Sequence, residues 1–409
     1  ANAGLLSLAS DNIFIGHNAG KTNSIANDNI FIGSGTGLNN DFGQFNVFMG
    51  SDAGAANVSG INNVYIGFMS GNTSTGNNNT YLGKSTGQVN TTGDQNTFLG
   101  SQAGQSNTIA ANNTFVGATA GLDNTEGTAN TFIGQGSGAN NSNGSDNTFV
   151  GMTSGFVNSS GSMNTFLGKG AGDSNTTASS NTFVGALAGG ANTTAANNTF
   201  VGANAGLLNS TGTGNTFMGK GAGDANTTAH DNTFIGTDAG GSNVTGTGNT
   251  FLGTAAGDVN TASANTFLGA NAGGANTSAA DNTFIGTNAG LLNVTGVSNT
   301  FIGARAGDSN TASGNTFIGK DAGGANTAGT LNTFIGSNSG AGNSTSTKNT
   351  FVGASSGQVN TGELNTFIGA NSGVANTGGD FNTFLGADAG MELTITNHNT
   401  FIGATAGMM

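Results

Sequence analysis

The 409-residue chain contains no cysteine, no proline and no tryptophan. Without Cys there is no disulfide and no thiolate metal ligand. Without Pro, no strand loses a ladder donor, which suits a chain whose strands lie inside a sheet rather than at its edge. Charge is scarce as well: 7 basic residues against 20 acidic ones, for a net charge of −13. There is no basic stripe, so nucleic acid is not an expected partner. No apolar run approaches the ~20 residues of a membrane helix, so this segment is not expected to insert into a membrane.

What the chain does have is a period. Phe or Tyr recurs from Phe14, Phe31, Phe48, Tyr65 and Tyr81 through to Phe384 and Phe401, in nineteen steps of 17 residues and four of 16. The short steps end at Tyr81, Phe267, Phe317 and Phe367. A short fixed period means one small structural unit stacked on itself. In a typical unit, Asn181 to Asn197, position one is Asn, two is Thr, three is Phe, four is aliphatic and five is Gly. Position eight is always Ala, Ser or Thr, nine is always Gly, and twelve is Asn except at Ser74 and Leu393. The first four units carry Ile13, Ile30, Val47 and Val64 at position two, and the other twenty carry Thr.

A β-branched, an aromatic and an aliphatic residue in succession, bounded by Asn and Gly, read as a short strand. Gly at position five ends it, and the small residue and Gly at eight and nine suit a tight corner. A second, weaker extended segment is expected near positions ten to fourteen, then a turn at fifteen to seventeen. Helix is disfavoured by the two fixed Gly of every unit, each costing ~1 kcal/mol relative to Ala. The expected fold is all-β: a parallel β-solenoid or β-roll of about 24 coils with a 17-residue, occasionally 16-residue, repeat. Residues 1–409 read as a single continuous solenoid array, spanning roughly 115 Å at ~4.8 Å per coil. Asn2, Ala3 and Gly4 look like the tail of a unit, and the chain stops in mid-unit at Met409. A part of a longer protein, or an array whose ends other chains or domains cover, is therefore expected. Disordered FG-type segments have no need of a fixed step or of Asn at a fixed offset.

Alternate strand residues face opposite sides. With the aromatic inside, the core ladder is Phe98, Phe115, Phe132, Phe149, Phe166, Phe183, Phe200, Phe217, Phe234 and Phe251. Side-chain amides one strand spacing apart can bond each other, so Asn96, Asn113, Asn130, Asn147, Asn164 and Asn181 form an expected Asn ladder. Positions two and four then face outward, as columns of Thr and of aliphatic residues. Such a column exceeds the apolar patch a soluble monomer usually exposes. It is expected to be covered by another copy, with Ile133, Leu167, Ile235, Leu252, Leu268, Ile285 and Ile318 in the oligomer interface.

No catalytic set survives inspection. His17, His230 and His398 fall at unrelated unit positions. Asp173, Asp224, Asp258 and Asp308 recur after the second Gly but not in successive coils, and read as solvated turn residues. Gly168-Lys169-Gly170-Ala171-Gly172 lacks the GxxxxGK[ST] pattern of a phosphate loop. No catalytic, cofactor-binding or metal residue is assigned, no cofactor is expected, and the chain reads as a non-enzyme.

Units such as NTFIGTDAG, NTFLGANAG and NTFIGKDAG resemble the β-roll head repeats of trimeric autotransporter adhesins, and similar repeats of bacterial surface-fibre and phage tail-fibre-like proteins. The resemblance covers nearly the whole chain. It implies a left-handed, trimeric roll, extracellular or at the cell surface, with an adhesive role toward host, cell or surface ligands. Adhesin heads usually have a shorter unit, with Ala or Val where this chain has Phe. The expected function is that of a structural and adhesive extracellular fibre, a rigid rod that self-associates through its aliphatic/Thr column. Binding is expected at variable positions ten, eleven and fifteen to seventeen, including Leu207-Leu208, Leu291-Leu292 and Phe156-Val157. The alternative is an ice-binding solenoid presenting a Thr ladder, as several antifreeze proteins do.

Overall fold

The computed structural model describes residues 2–408, and among them it contains no helix. Every coil contributes one three-residue strand at positions two to four, from β1 (Ile13–Ile15) to β24 (Thr400–Ile402). The chain forms two compact units, Ala1–Thr211 and Gly212–Met409. The first carries β1 to β12 (Thr199–Val201) and the second β13 (Thr216–Met218) to β24.

In the first unit each strand pairs in parallel with the strand of the next coil, without slip: Thr114 opposite Thr131, Phe115 opposite Phe132, Val116 opposite Ile133. The second unit repeats the pattern, as in Thr283, Phe284 and Ile285 opposite Thr300, Phe301 and Ile302. The chain is thus a parallel β-solenoid with a 17-residue spacing. Backbone bonds between coils extend well beyond the strand. In the coil that starts at Asn113, the N–H groups of Thr114, Gly121, Asp123 and Thr125 donate forward, to Asn130, Ser137, Ala139 and Ser142. Those of Gly117, Thr119 and Ala129 donate back, to Leu99, Ser101 and Ala111. Backbone groups that a loop would leave to water are therefore paired from coil to coil.

The interior is narrow and is filled by the aromatic column. Neighbouring rings lie parallel, with Phe98 and Phe115 at 4.7 Å and 4°, and Phe284 and Phe301 at 4.8 Å and 4°. This spacing is that of adjacent strands, so in-register pairing imposes ring-on-ring stacking. The glycine at position nine closes over the ring. Gly104 has φ +56, and a Cβ there would lie 2.5 Å from the Phe98 ring. No other residue type fits at both levels, conformation and space.

The second extended segment expected near positions ten to fourteen does not form as a strand. There the chain makes a side-chain-closed turn: Asn124 Nδ2 donates to the Gly127 carbonyl, three residues on, at 2.9 Å. An Asn side chain that bonds the backbone three residues ahead pulls the chain out of the extended conformation. Position fifteen differs from expectation too. Rather than lying in an outer loop it is buried, as at Ala26, Ala110 and Ala195. The chain there runs inside, under the two Asn side chains.

Candidate functional site

Two sets of side chains recur in every coil, one inside and one outside. Inside, all ten phenylalanines of the expected core ladder, Phe98 through Phe251, have no exposed surface. The six ladder residues Asn96, Asn113, Asn130, Asn147, Asn164 and Asn181 are equally buried. Their bonding differs from simple amide-to-amide pairing. Asn113 Oδ1 accepts the backbone N–H of Asn130 at 2.9 Å, and Asn113 Nδ2 donates to the Gly127 carbonyl at 2.9 Å. That carbonyl also takes Nδ2 of Asn124, so the two Asn of one coil clamp one oxygen. Within this ladder Asn164 Nδ2 also donates to Asn147 Oδ1, at 3.2 Å, and at position twelve Asn141, Asn158 and Asn175 each donate to Oδ1 of the preceding Asn at 2.6–2.7 Å.

Position thirteen adds a hydroxyl ladder. Thr91, Thr108, Thr125, Ser142, Ser159, Thr176 and Thr193 each donate to the position-thirteen carbonyl of the next coil, at 2.8–3.1 Å. Neither this ladder nor the buried small residue at position fifteen was read from the sequence. The signal for both was present: hydroxyl residues cluster at thirteen, and fifteen is Gly, Ala or Ser in every 17-residue unit except that of Thr396.

Outside, positions two and four form the strand face. Ile133, Leu167, Leu252 and Leu268 are exposed, Leu167 by 47%. Ile235, Ile285 and Ile318 point the same way and are half-buried. No position-two or position-four residue carries a charge. Within each unit this makes two parallel columns, Thr beside aliphatic, repeating at the strand spacing. Along each strand the columns stand two residues, about 7 Å, apart. In the first four coils both columns are aliphatic, from Ile13 and Ile15 to Val64 and Ile66.

The charged residues lie away from this face. Lys84, Lys169, Lys220 and Lys320 all occupy position six, and Asp173, Asp224, Asp258 and Asp308 position ten. Burial pushes all four Asp carboxyls up, and the Asp238 charge adds to this at Asp224 and Asp258. Arg305 bonds Asp321 at 2.6 Å and holds that carboxyl below its ordinary range. Among the described residues no group of three His, Cys, Asp or Glu could hold a metal ion. Of the variable positions, Leu208, Leu292 and Phe156 are exposed, while Leu207, Leu291 and Val157 are half-buried.

Compared with known proteins, the chain matches no family model and no curated protein.

Proposed function

We propose that the chain is a non-enzymatic structural element of an extracellular or cell-surface fibre, which self-associates through its Thr/aliphatic strand face. The observation that carries this reading is the face itself: two uncharged columns, in register, outward in every coil. An apolar column of this length is a poor surface for an isolated soluble chain and a good one for packing against another copy. Trimeric assembly, a left-handed coil and adhesion to host, cell or surface ligands follow from the resemblance to adhesin head repeats. Exposed Leu208, Leu292 and Phe156 are candidate ligand contacts. The mass of the native particle tests the reading. Sedimentation equilibrium at micromolar concentration should give a multiple of 39.7 kDa, three for a trimer. A stable monomer would falsify self-association.

The outward position of the Thr column favours one second reading. Ice binding needs a regular hydroxyl ladder open to water, and within each unit Thr stands next to Thr on neighbouring strands. A monomer with thermal hysteresis, lost when several adjacent Thr become bulky, would replace the fibre reading with this one.

A further inference from the structure

The interior repeats almost without variation, and one place, the 16-residue coil of Tyr65 and its successor, breaks the pattern at three side chains. The only two tyrosines, Tyr65 and Tyr81, stand in successive coils, where all other aromatic-column residues are Phe. The first of those coils has Ser74 in place of the position-twelve Asn. All three are completely buried. The three exceptions compensate one another. Ser74 is shorter than Asn, and the Tyr65 hydroxyl lies 2.8 Å from its Oγ. Its presence also deprives the next coil. Asn40 and Asn57 donate to the amide oxygen of the Asn one coil back, at 2.9 and 3.1 Å. Asn90 finds only the Ser74 hydroxyl there, at 3.5 Å, and donates instead to the Tyr81 hydroxyl at 2.6 Å. The Tyr65 and Tyr81 rings stack at 4.8 Å like any other pair.

We propose that Tyr65, Ser74, Tyr81 and Asn90 form a register marker that makes their two coils recognise each other as neighbours during folding. A chain of near-identical coils has a specific hazard. Any coil's Phe, Asn and Gly can stack on almost any other's, so a coil can be skipped and left as a loop of one repeat. Most such slips lose little packing, because the replacement coil presents the same side chains. At the marker a slip does not come free. If the Tyr81 coil is skipped, Asn107, whose coil carries Phe98, faces the short Ser74 with no phenol to fill the space that a full Asn would occupy. If the Tyr65 coil is skipped, Asn90 bonds Asn57 and the Tyr81 hydroxyl is left beside a full-sized Asn ladder. The first slip leaves unfilled space beside Ser74, and the second strands the buried Tyr81 hydroxyl, which in correct stacking accepts the Asn90 amide. A single buried polar residue fixes register in coiled coils on the same principle.

The test separates register from stability. The variant Tyr65→Phe/Ser74→Asn/Tyr81→Phe restores the ordinary interior side chains, keeps the first coil at its 16 residues, and removes the marker. Its denaturation midpoint should equal that of the parent chain. On refolding from denaturant it should give a several-fold larger fraction that protease cleaves within a single looped-out repeat, mapped by the masses of the fragments. Moving the set to another pair of coils in that background, with Phe132→Tyr, Asn141→Ser and Phe149→Tyr, should return the cleaved fraction to the parental level. A marker-free variant that refolds as cleanly as the parent overturns the proposal. So does a transplanted set that fails to restore clean refolding, since the loss then came from local packing.

Discussion

Asn29 Oδ1 accepts the backbone N–H of Asn46, one coil further on, at 3.0 Å. The same contact recurs along both units, for example from Asn299 to Asn315 at 2.9 Å. It explains why position one tolerates no other residue. The position-one N–H, just ahead of each strand, faces the interior of the preceding coil, and only a side chain with both an acceptor and a donor can serve it and the position-fifteen carbonyl together. Asp would supply the acceptor but bury a charge.

Asn113→Ala should therefore be more damaging than an ordinary polar deletion. It removes the acceptor of the Asn130 N–H and one of two donors to the Gly127 carbonyl. Leaving a buried N–H unpaired costs ~1–3 kcal/mol. Chemical denaturation should show a loss of that order, and Asn113→Asp should be at least as harmful at neutral pH. An unchanged midpoint in Asn113→Ala would mean that water enters the coil and replaces the amide.

Two glycines with similar backbone angles should respond very differently to alanine. Gly104 has φ +56 and its Cβ would press into the Phe98 ring; Gly248 has φ +65 and open space around it. Gly248→Ala bears only the left-handed backbone cost, ~1–2 kcal/mol. Gly104→Ala bears the same cost and must also displace a buried ring from its stack. Limited proteolysis should find Gly104→Ala cleaved near its own coil and Gly248→Ala close to the parent. Equal sensitivity would show that conformation alone, and not ring packing, selects Gly at position nine.

The strand, the inward aromatic and the glycines at five and nine were legible because each demands one residue type. Positions seven and seventeen were not. The backbone is left-handed at seven in every coil and at seventeen in every 17-residue coil, yet Leu187, Arg305, Met163 and Phe45 all occupy such sites. Local preference would refuse these residues, at ~1–2 kcal/mol each. The stack overrides it, since the N–H at both positions donates to the preceding coil: Arg305 to Thr287, Met163 to Ser145. The many Asn and Asp at these positions were the available hint. The second strand was misjudged for a related reason. Composition suited extension, but the position-twelve amide closes a turn that composition does not reveal.

Ser346 occupies the buried position fifteen, where most coils have Gly or Ala. Among the described residues its Oγ makes no hydrogen bond, and neither does the side chain of Asn343, three residues earlier. Removing an unpaired buried hydroxyl is favourable, so Ser346→Ala should stabilise the protein by about 1 kcal/mol. The alanines at positions 26, 110 and 195 show that a methyl group fits at this position. A destabilised Ser346→Ala, read by thermal denaturation, would mean that the hydroxyl has a partner such as an internal water.

The two tyrosines make an alkaline prediction. Burial raises both phenol pKa values well above the ordinary range; for Tyr81 the charge on Tyr65 adds to this. A group whose folded pKa is raised gives stability that is complete below its unfolded pKa, near 10, and is lost as pH rises toward the folded value. The protein should thus lose stability above about pH 10, and phenolate absorbance should appear only with unfolding. Tyr65→Phe/Tyr81→Phe should flatten that part of the pH profile, whatever its stability at neutral pH. Phenolate absorbance at about pH 10 in a protein still folded by circular dichroism would contradict the burial of both hydroxyls.

The strand face offers the most direct control over assembly. Ile235, Leu252 and Leu268 stand in one column on three successive strands of the second unit. Each points outward, away from the stacked rings of Phe234, Phe251 and Phe267. Changing all three to Asp therefore leaves the interior of the coil intact. In an isolated chain the new carboxylates would be hydrated, with only mutual repulsion along the column to bear. In an oligomer sealed through this face they would be buried without partners, at a cost of several kcal/mol. Sedimentation should find the triple variant as a folded monomer where the parent is oligomeric. Changing Leu208, Leu292 and Phe156 to Asp, on exposed positions off the strand face, should leave the mass of the particle unchanged. If the strand-face variant keeps the parental mass and the other set dissociates it, the copies meet through the turns, and the Thr/aliphatic columns remain open to water.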